Sequence, residues 1–362
     1  MDSFLLYAGG QAGNLHGGGA FYPRILEEVT PMQPDADKPV LRAEGLTKIY
    51  SAQPGIFRTG GKKILAVEGV SFSIGRGETL GLVGESGSGK TTTGYMTLLL
   101  TRPSSGTVFL EGTELTGLKS AELRKLRPKM QIIFQNPLLS FNPRKSMRYL
   151  LREAVQVSGE PSQQAADAWI EELLGSVGLS AELLDRRARE LSGGQQQRMA
   201  IARALATNPV YLVLDEALSA LDLLTQREIL NLLAELQKQF RLAFLFISHD
   251  LRLTRRIAQR ILVMYAGQIV EECPAGRLFA RPLHPYSQFL TRHLTFVRKK
   301  FSSKDTGPEI FPPAPQLVDR RGCVYANRCP LAQKVCFEET PPLETAEAGH
   351  NVRCFFAGET AG

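Results

Sequence analysis

The nine residues GESGSGKTT at 84–92 constrain this chain more than any other stretch. They fit G-x-x-x-x-G-K-[ST], follow the strand-like run TLGLV and open a segment of helical spacing, which is the context that gives the pattern its meaning. A glycine-rich turn between strand and helix presents converging backbone N–H groups, with the positive end of the helix behind them. Gly84, Gly87 and Gly89 permit the curl, and the phosphate-binding set runs through Gly84, Glu85, Ser86, Gly87, Ser88, Gly89, Lys90, Thr91 and Thr92. Lys90 is expected to neutralise β- and γ-phosphates, and the Thr91 hydroxyl to ligate Mg²⁺. The sequence therefore carries a nucleotide site.

A phosphate loop alone does not separate an ATPase from a GTPase or a kinase, and VYLVLDE at 210–216 narrows the choice. Its apolar residues bury a strand, Asp215 ends it as a Mg²⁺ ligand through water, and Glu216 is placed to orient or deprotonate an attacking water. No N-K-x-D-like element for guanine is present. A helical segment from about Asp222 to Phe240 separates this strand from a second one, LAFLFISHD, and that strand–helix–strand rhythm predicts a parallel sheet. LSGGQQQR at 191–198 places Ser192 and two glycines at a helix start, a second anion-binding device. One triphosphate does not need two such devices in one chain, so the second is expected to serve a nucleotide held by another subunit.

Taken together, these segments resemble the nucleotide-binding subunit of an ABC transporter over about residues 40–280. The resemblance implies an ATPase built as a head-to-tail pair, with the LSGGQ residues Ser192, Gly193, Gly194 and Gln195 facing the partner's γ-phosphate. By the same resemblance Gln135, in IIFQNP, senses Mg²⁺ and faces membrane subunits, and Asp222, in SALD, lies near the facing phosphate loop. His249, in FISHD, touches the γ-phosphate, and Tyr50, in LTKIY, stacks on adenine. The implied catalytic set is Glu216, His249 and Lys90, with Thr91, Gln135 and Asp215 around Mg²⁺. Ala217 departs from the proline usual after the catalytic glutamate, which bears on loop stiffness but removes no catalytic group.

FQNPLLSFNPR (134–144) and LHPYSQFL (283–290) are similar to segments of the oligopeptide, dipeptide and nickel importers within that family, as is RCPLA at 328–332. The loop SAQPGIFRTGGKKILAV and the segment ALSALD look more like the second ATPase chain of such an importer pair than the first. The implied partners are a second, unlike ATPase subunit, two membrane permease subunits and, indirectly, an extracytoplasmic solute-binding protein. Import of peptides is the function this implies. The same role in a nickel or other small-solute importer is the alternative, and a non-transport ABC ATPase acting on nucleic acid is a more distant one.

Four of the five cysteines, Cys323, Cys329, Cys336 and Cys354, fall in the last forty residues, with Cys273 apart. Four thiolates are the number a 4Fe–4S cluster takes. Zinc also accepts four, but its structural sites usually draw cysteines in pairs about two to four residues apart. The gaps here are wider, so a cluster is the expectation, with zinc and plain buried thiols as alternatives. A tail this rich in proline is expected to be irregular and to need metal–thiolate bonds for its stability.

The formal charge of +7 arises from scattered patches such as RKLRPK and RLTRRIAQR, with no basic stripe interleaved with aromatics, so no nucleic-acid partner is expected. No apolar run approaches the roughly 18–20 residues that cross a bilayer, and MDSFLLYAGG does not read as a secretory signal. A peripheral place on the cytoplasmic face of the membrane is the expectation. The expected fold is α/β. A flexible extension (1–38) precedes an ATPase domain (39–281) with a parallel sheet core, an antiparallel β-subdomain and a helical subdomain at about 138–200. An irregular cysteine-bearing extension (282–362) follows.

Overall fold

A computed structural model describes residues 38–51, 63–159, 162–296 and 321–359. All but the last residue of the expected extension at 1–38 and most of the loop expected at 51–63 lie outside the described residues.

Continuous apolar runs dictate the centre of the molecule. TLGLV, YLVLD and AFLFIS are buried at every position, as strands covered on both faces must be. Among the described residues twelve strands form two sheets. β1 (Leu41–Ser51) and β2 (Lys63–Ile74) lead into β3 (Thr79–Val83) and helix α1 (Lys90–Thr97). β4 (Ser105–Leu110), β5 (Thr113–Glu114), α2 (Ser120–Leu126) and β6 (Met130–Ile133) follow. Then come α3 (Met147–Ser158), α4 (Gln163–Ser176), α5 (Gly193–Leu205), β7 (Tyr211–Asp215) and α6 (Leu223–Phe240). β8 (Ala243–Ser248), α7 (Leu251–Ile257), β9 (Arg260–Tyr265), β10 (Gln268–Pro274), α8 (Ala275–Ala280) and α9 (Pro285–Phe296) continue the chain. α10 (Lys334–Glu338), β11 (Glu344–Glu347) and β12 (His350–Val352) close it.

The main sheet has the order β11-β12-β10-β9-β3-β8-β7-β6. β9, β3, β8, β7 and β6 run parallel, so the loops leaving β3, β7 and β8 emerge side by side at one edge. Ligands of open parallel sheets bind beyond such carboxyl ends. The second sheet, β2-β1-β4-β5, is antiparallel, and its Val67, Val70, Phe72 and Val108 share a core cluster with Leu80 and Leu82 of β3. α3, α4 and α5 pack on one another, with a bidentate Arg152–Asp167 pair at 2.7–2.8 Å joining α3 to α4.

The C-terminal region differs from its expectation. α9 is regular, and the β11–β12 hairpin adds to the main sheet by pairing Glu271 and Glu272 of β10 with Val352 and Asn351. Val324 and Tyr325 are buried in one cluster with Tyr265 and Tyr286. The tail thus has an apolar core shared with the main sheet. Proline-rich composition concealed it because the burying partners are far away in sequence.

Candidate functional site

The phosphate loop leaves β3 and curls through Gly84 (φ +154°) and Gly89 (φ +105°), the latter capping α1. A Cβ at Gly84 would collide with the Met264 carbonyl, and one at Gly89 with that of Ala66, so β9 and β2 hold the loop too closely for any side chain. Lys90 is buried, and its ammonium donates to the Gly84 and Glu85 carbonyls at 2.8 Å each. Burial lowers its pKa, opposed by the carboxylates of Glu216, Asp215 and Glu85. The lysine is therefore anchored inside the loop it serves.

Asp215 ends β7 and accepts a hydrogen bond from the Thr91 hydroxyl at 3.0 Å, so two expected Mg²⁺ ligands already meet across the gap between β7 and α1. Burial raises the Asp215 pKa, countered by that hydrogen bond. Adjacent oxygen donors, one a carboxylate, suit a hard cation that keeps several waters, so the residues fit Mg²⁺. Glu216 follows in the left-handed region (φ +48°), its amide donating to the Ile247 carbonyl of β8. From the end of β8, His249 brings Nδ1 within 3.3 Å of a Glu216 carboxylate oxygen. Gly84, Glu85, Ser86, Glu216, His249, Leu251 and Leu290 line one cleft. Ser86, Gly87, Gly89, Lys90, Thr91, Thr92 and Glu216 line a neighbouring cleft. Ser88 is buried beneath the loop.

Other expected site residues stand apart from these clefts. Ser192 caps α5 in a reciprocal box with Gln195: the Ser192 amide donates to Gln195 Oε1 at 3.0 Å and the Gln195 amide to Ser192 Oγ at 3.3 Å. Ser192 and Gly193 are exposed, Gly194 and Gln195 half-buried, and none of the four lines the clefts. Asp222 caps α6, accepting from the amides of Leu224 and Thr225 and from the Thr225 hydroxyl. Gln135 lies exposed just past β6. Tyr50, near the end of β1, is 41% exposed with the Lys48 ammonium 5.2 Å from its ring centroid. An exposed aromatic on a strand end offers a stacking face.

Cys323, Cys329, Cys336 and Cys354 line one small cavity together with His284, Tyr325 and Phe356. Burial raises the Cys329 thiol and pushes Cys354 up to about 11, its three fellow cysteines adding to the shift. The four thiols thus converge on one largely apolar cavity, a donor set of the kind that zinc or an iron–sulfur cluster takes.

Sequence reasoning missed a second constellation. Buried Glu271 accepts from the amides of Leu283 and His284 at 2.9 and 2.8 Å and pairs with His350 at 2.7 Å. Cys273 lies beside them, its thiol pushed up to about 12 by burial. With both carboxylate oxygens engaged, Glu271 is a latch joining β10, the segment leading into α9, and β12. Arg328 was missed as well. Its guanidinium grips the Glu85 carboxylate at 2.8 and 3.1 Å, and the Tyr286 hydroxyl accepts from the Glu85 amide at 2.9 Å. A signal was present in the HPY segment, but nothing in the sequence ties residue 328 to residue 85.

Residues 67–219 match the ABC transporter family model, and residues 270–336 match the oligopeptide/dipeptide transporter C-terminal region. The chain is 39% identical over 317 residues to the oligopeptide transport ATP-binding protein AppF of Bacillus subtilis, covering 87% of this chain and 96% of that one. It is 42% identical over 315 residues to a probable peptide ABC transporter ATP-binding protein, y4tS, of Sinorhizobium fredii, covering 87% and 89%. Among solved structures it is similar to cbiO1 of Clostridium perfringens, part of the ABC transporter complex cbiONQ (25% identity, TM-score 0.59, covering 73% and 96%). It is also similar to the dimeric bacterial ABC transporter cassette MJ0796 (28% identity, TM-score 0.56, covering 65% and 98%). With a phosphate loop, a Thr91–Asp215 pair and a Glu216–His249 pair at adjacent strand ends, and relatives matched over nearly their whole length, the chain belongs to the ATP-binding subunits of ABC transporters.

Proposed function

We propose that this chain hydrolyses ATP to power import of peptides across the cytoplasmic membrane, as a peripheral subunit on two permease chains. The observation that carries the chemistry is the meeting of Thr91, Asp215, Glu216 and His249 at the ends of three neighbouring parallel strands. The match of residues 270–336 to the oligopeptide/dipeptide region supports the substrate class.

In this reading the loop amides and Lys90 hold the phosphates, and Thr91 and Asp215 hold Mg²⁺ with Gln135 reaching toward it. When bound, Mg²⁺ offsets charge on the phosphate oxygens. Glu216 accepts the proton of the attacking water, and His249 orients Glu216 and donates to the γ-phosphate. Tyr50 stacks on adenine. Ser192, Gly193, Gly194 and Gln195 serve the nucleotide of the second ATPase chain, an unlike subunit, and Asp222 lies at that same interface. This agrees with a signature helix whose exposed start stands apart from the chain's own clefts. The ATPase domain is 39–281, its helical part 138–200 carries the motion to the permeases, and 282–362 forms the extension. A binding protein outside the membrane delivers the solute. Reconstitution with permeases and binding protein tests the assignment. Peptide-stimulated ATP hydrolysis with accumulation of labelled peptide is expected, and stimulation by a nickel chelate but not by peptide would overturn the substrate class.

The four tail cysteines hold a 4Fe–4S cluster in this reading, supported by their shared cavity and their wide spacing in sequence. The cluster supplies cross-linking of the tail. Anaerobic purification should give brown protein with about four irons per chain. Colourless, iron-free protein would sink the cluster, and stoichiometric zinc would name its replacement.

A further inference from the structure

Glu85 is the second residue of the phosphate loop, and it faces the cleft that also holds Glu216 and His249. A bare carboxylate there would repel an incoming triphosphate. Arg328, whose side chain is only 15% exposed, closes on it with a two-pronged pair. The guanidinium is itself held by the Tyr265 hydroxyl at 3.3 Å and flanked by the rings of Tyr265, Phe289 and Tyr325 at 5.7–5.9 Å. The Tyr286 hydroxyl takes the Glu85 amide from the other side. Thus the C-terminal region touches both the charge and the backbone of the loop.

Arg328 also closes a single 3₁₀ turn, Ala326–Arg328, set between Cys323 and Cys329. The Ala326 amide donates to the Cys323 carbonyl at 3.1 Å and the Cys329 amide to the Ala326 carbonyl at 3.2 Å. The Cys323 amide donates to the Cys336 carbonyl at 2.7 Å. The direction of the guanidinium is therefore set by a turn whose two ends are walls of the four-cysteine cavity.

We propose that Arg328 is a positioning residue for the nucleotide loop, neutralising and orienting Glu85, so that nucleotide affinity depends on the order of the cysteine cavity. The inference rests on the ATP-binding reading above but not on the identity of any metal. It assigns the C-terminal region a task at the phosphate end of the site.

Titration of the full-length chain with a fluorescent ATP analogue and Mg²⁺ tests it. Arg328→Gln should weaken affinity roughly tenfold, because a partly buried carboxylate loses its partner. Adding Glu85→Gln to that variant should recover affinity to within about threefold of the unmodified chain. The Arg328→Gln loss should shrink at high salt, which a purely structural defect would not do. Arg328→Lys, which keeps the charge but not the fork, should fall between, and it serves if the glutamine variant does not fold. Cys329→Ser should weaken binding when Glu85 is present and have no further effect in the Glu85→Gln background. Unchanged affinity in both Arg328 variants, no recovery in the double variant, or equal Cys329→Ser losses in both backgrounds would each overturn the proposal. A chain that binds no nucleotide at all would overturn the ATP-binding reading with it, whereas tight binding indifferent to Arg328 overturns this inference alone.

Discussion

Glu216 adopts a left-handed backbone that non-glycine residues seldom take, and the geometry places its carboxylate between the loop and His249. Replacing it with glutamine keeps the shape and removes the base. Glu216→Gln should reduce turnover by roughly 10²–10⁴ while leaving nucleotide binding near normal. Lys90→Ala should do the opposite at the binding step, because a buried ammonium that organises the Gly84 and Glu85 carbonyls is lost. Parallel measurement of steady-state hydrolysis and of nucleotide affinity separates the two. If Glu216→Gln turned over near the normal rate in the assembled transporter, another group must serve as base. Ala217, buried to 3% exposure just beyond Glu216, leaves this turn without proline's fixed φ, and the Ser219 and Glu216 backbone hydrogen bond closes it instead.

At the scale of elements, Asp222 has a capping role that is separable from the interface role proposed for it. Its three accepted hydrogen bonds fasten the start of α6, the eighteen-residue helix that covers the sheet. Asp222→Ala should lower the urea midpoint of unfolding, whereas Asp222→Asn, nearly as good a cap, should leave it almost unchanged. If the carboxylate also serves the partner chain, Asn will keep stability yet slow the dimer's hydrolysis. The helix itself was readable, since Asp222 and Phe240 mark its limits in the sequence almost to the residue. Strands β3, β7 and β8 were readable as well, each being a short apolar run that ends at or just before an expected site residue. β9, β10 and the β11–β12 hairpin were not. ETAE carries no apolar alternation, and its pairing partners lie elsewhere in the chain. Phosphate-loop residues were legible because their spacing is local. The grip of Arg328 on Glu85 spans 243 residues and leaves no trace in either neighbourhood.

For the whole molecule, the exposed start of α5 stands apart from the cleft at α1, and on the proposed head-to-tail pairing each chain completes its partner. Hydrolysis by the isolated chain should therefore be slow and rise more than linearly with concentration. Ser192→Arg should lower turnover chiefly at the partner's phosphate loop, measured by comparing Ser192→Arg and Lys90→Ala versions of this chain, each paired with the intact second chain. Fast hydrolysis per molecule at high dilution would count against the shared site. The latch around Glu271 has a further consequence, this time for the order in which the protein is made. β10 receives its outer neighbour only when His350–Val352 arrive, 79 residues after the Glu271 they pair with. At about 5–20 residues per second, a ribosome leaves that strand edge open for roughly 4–16 s. An open edge invites other chains. Crowded synthesis, a slow codon late in the message or a premature stop just before His350 thus exposes the same hazard: a nearly finished ATPase whose last strand is missing, ready to pair with its neighbour on the polysome.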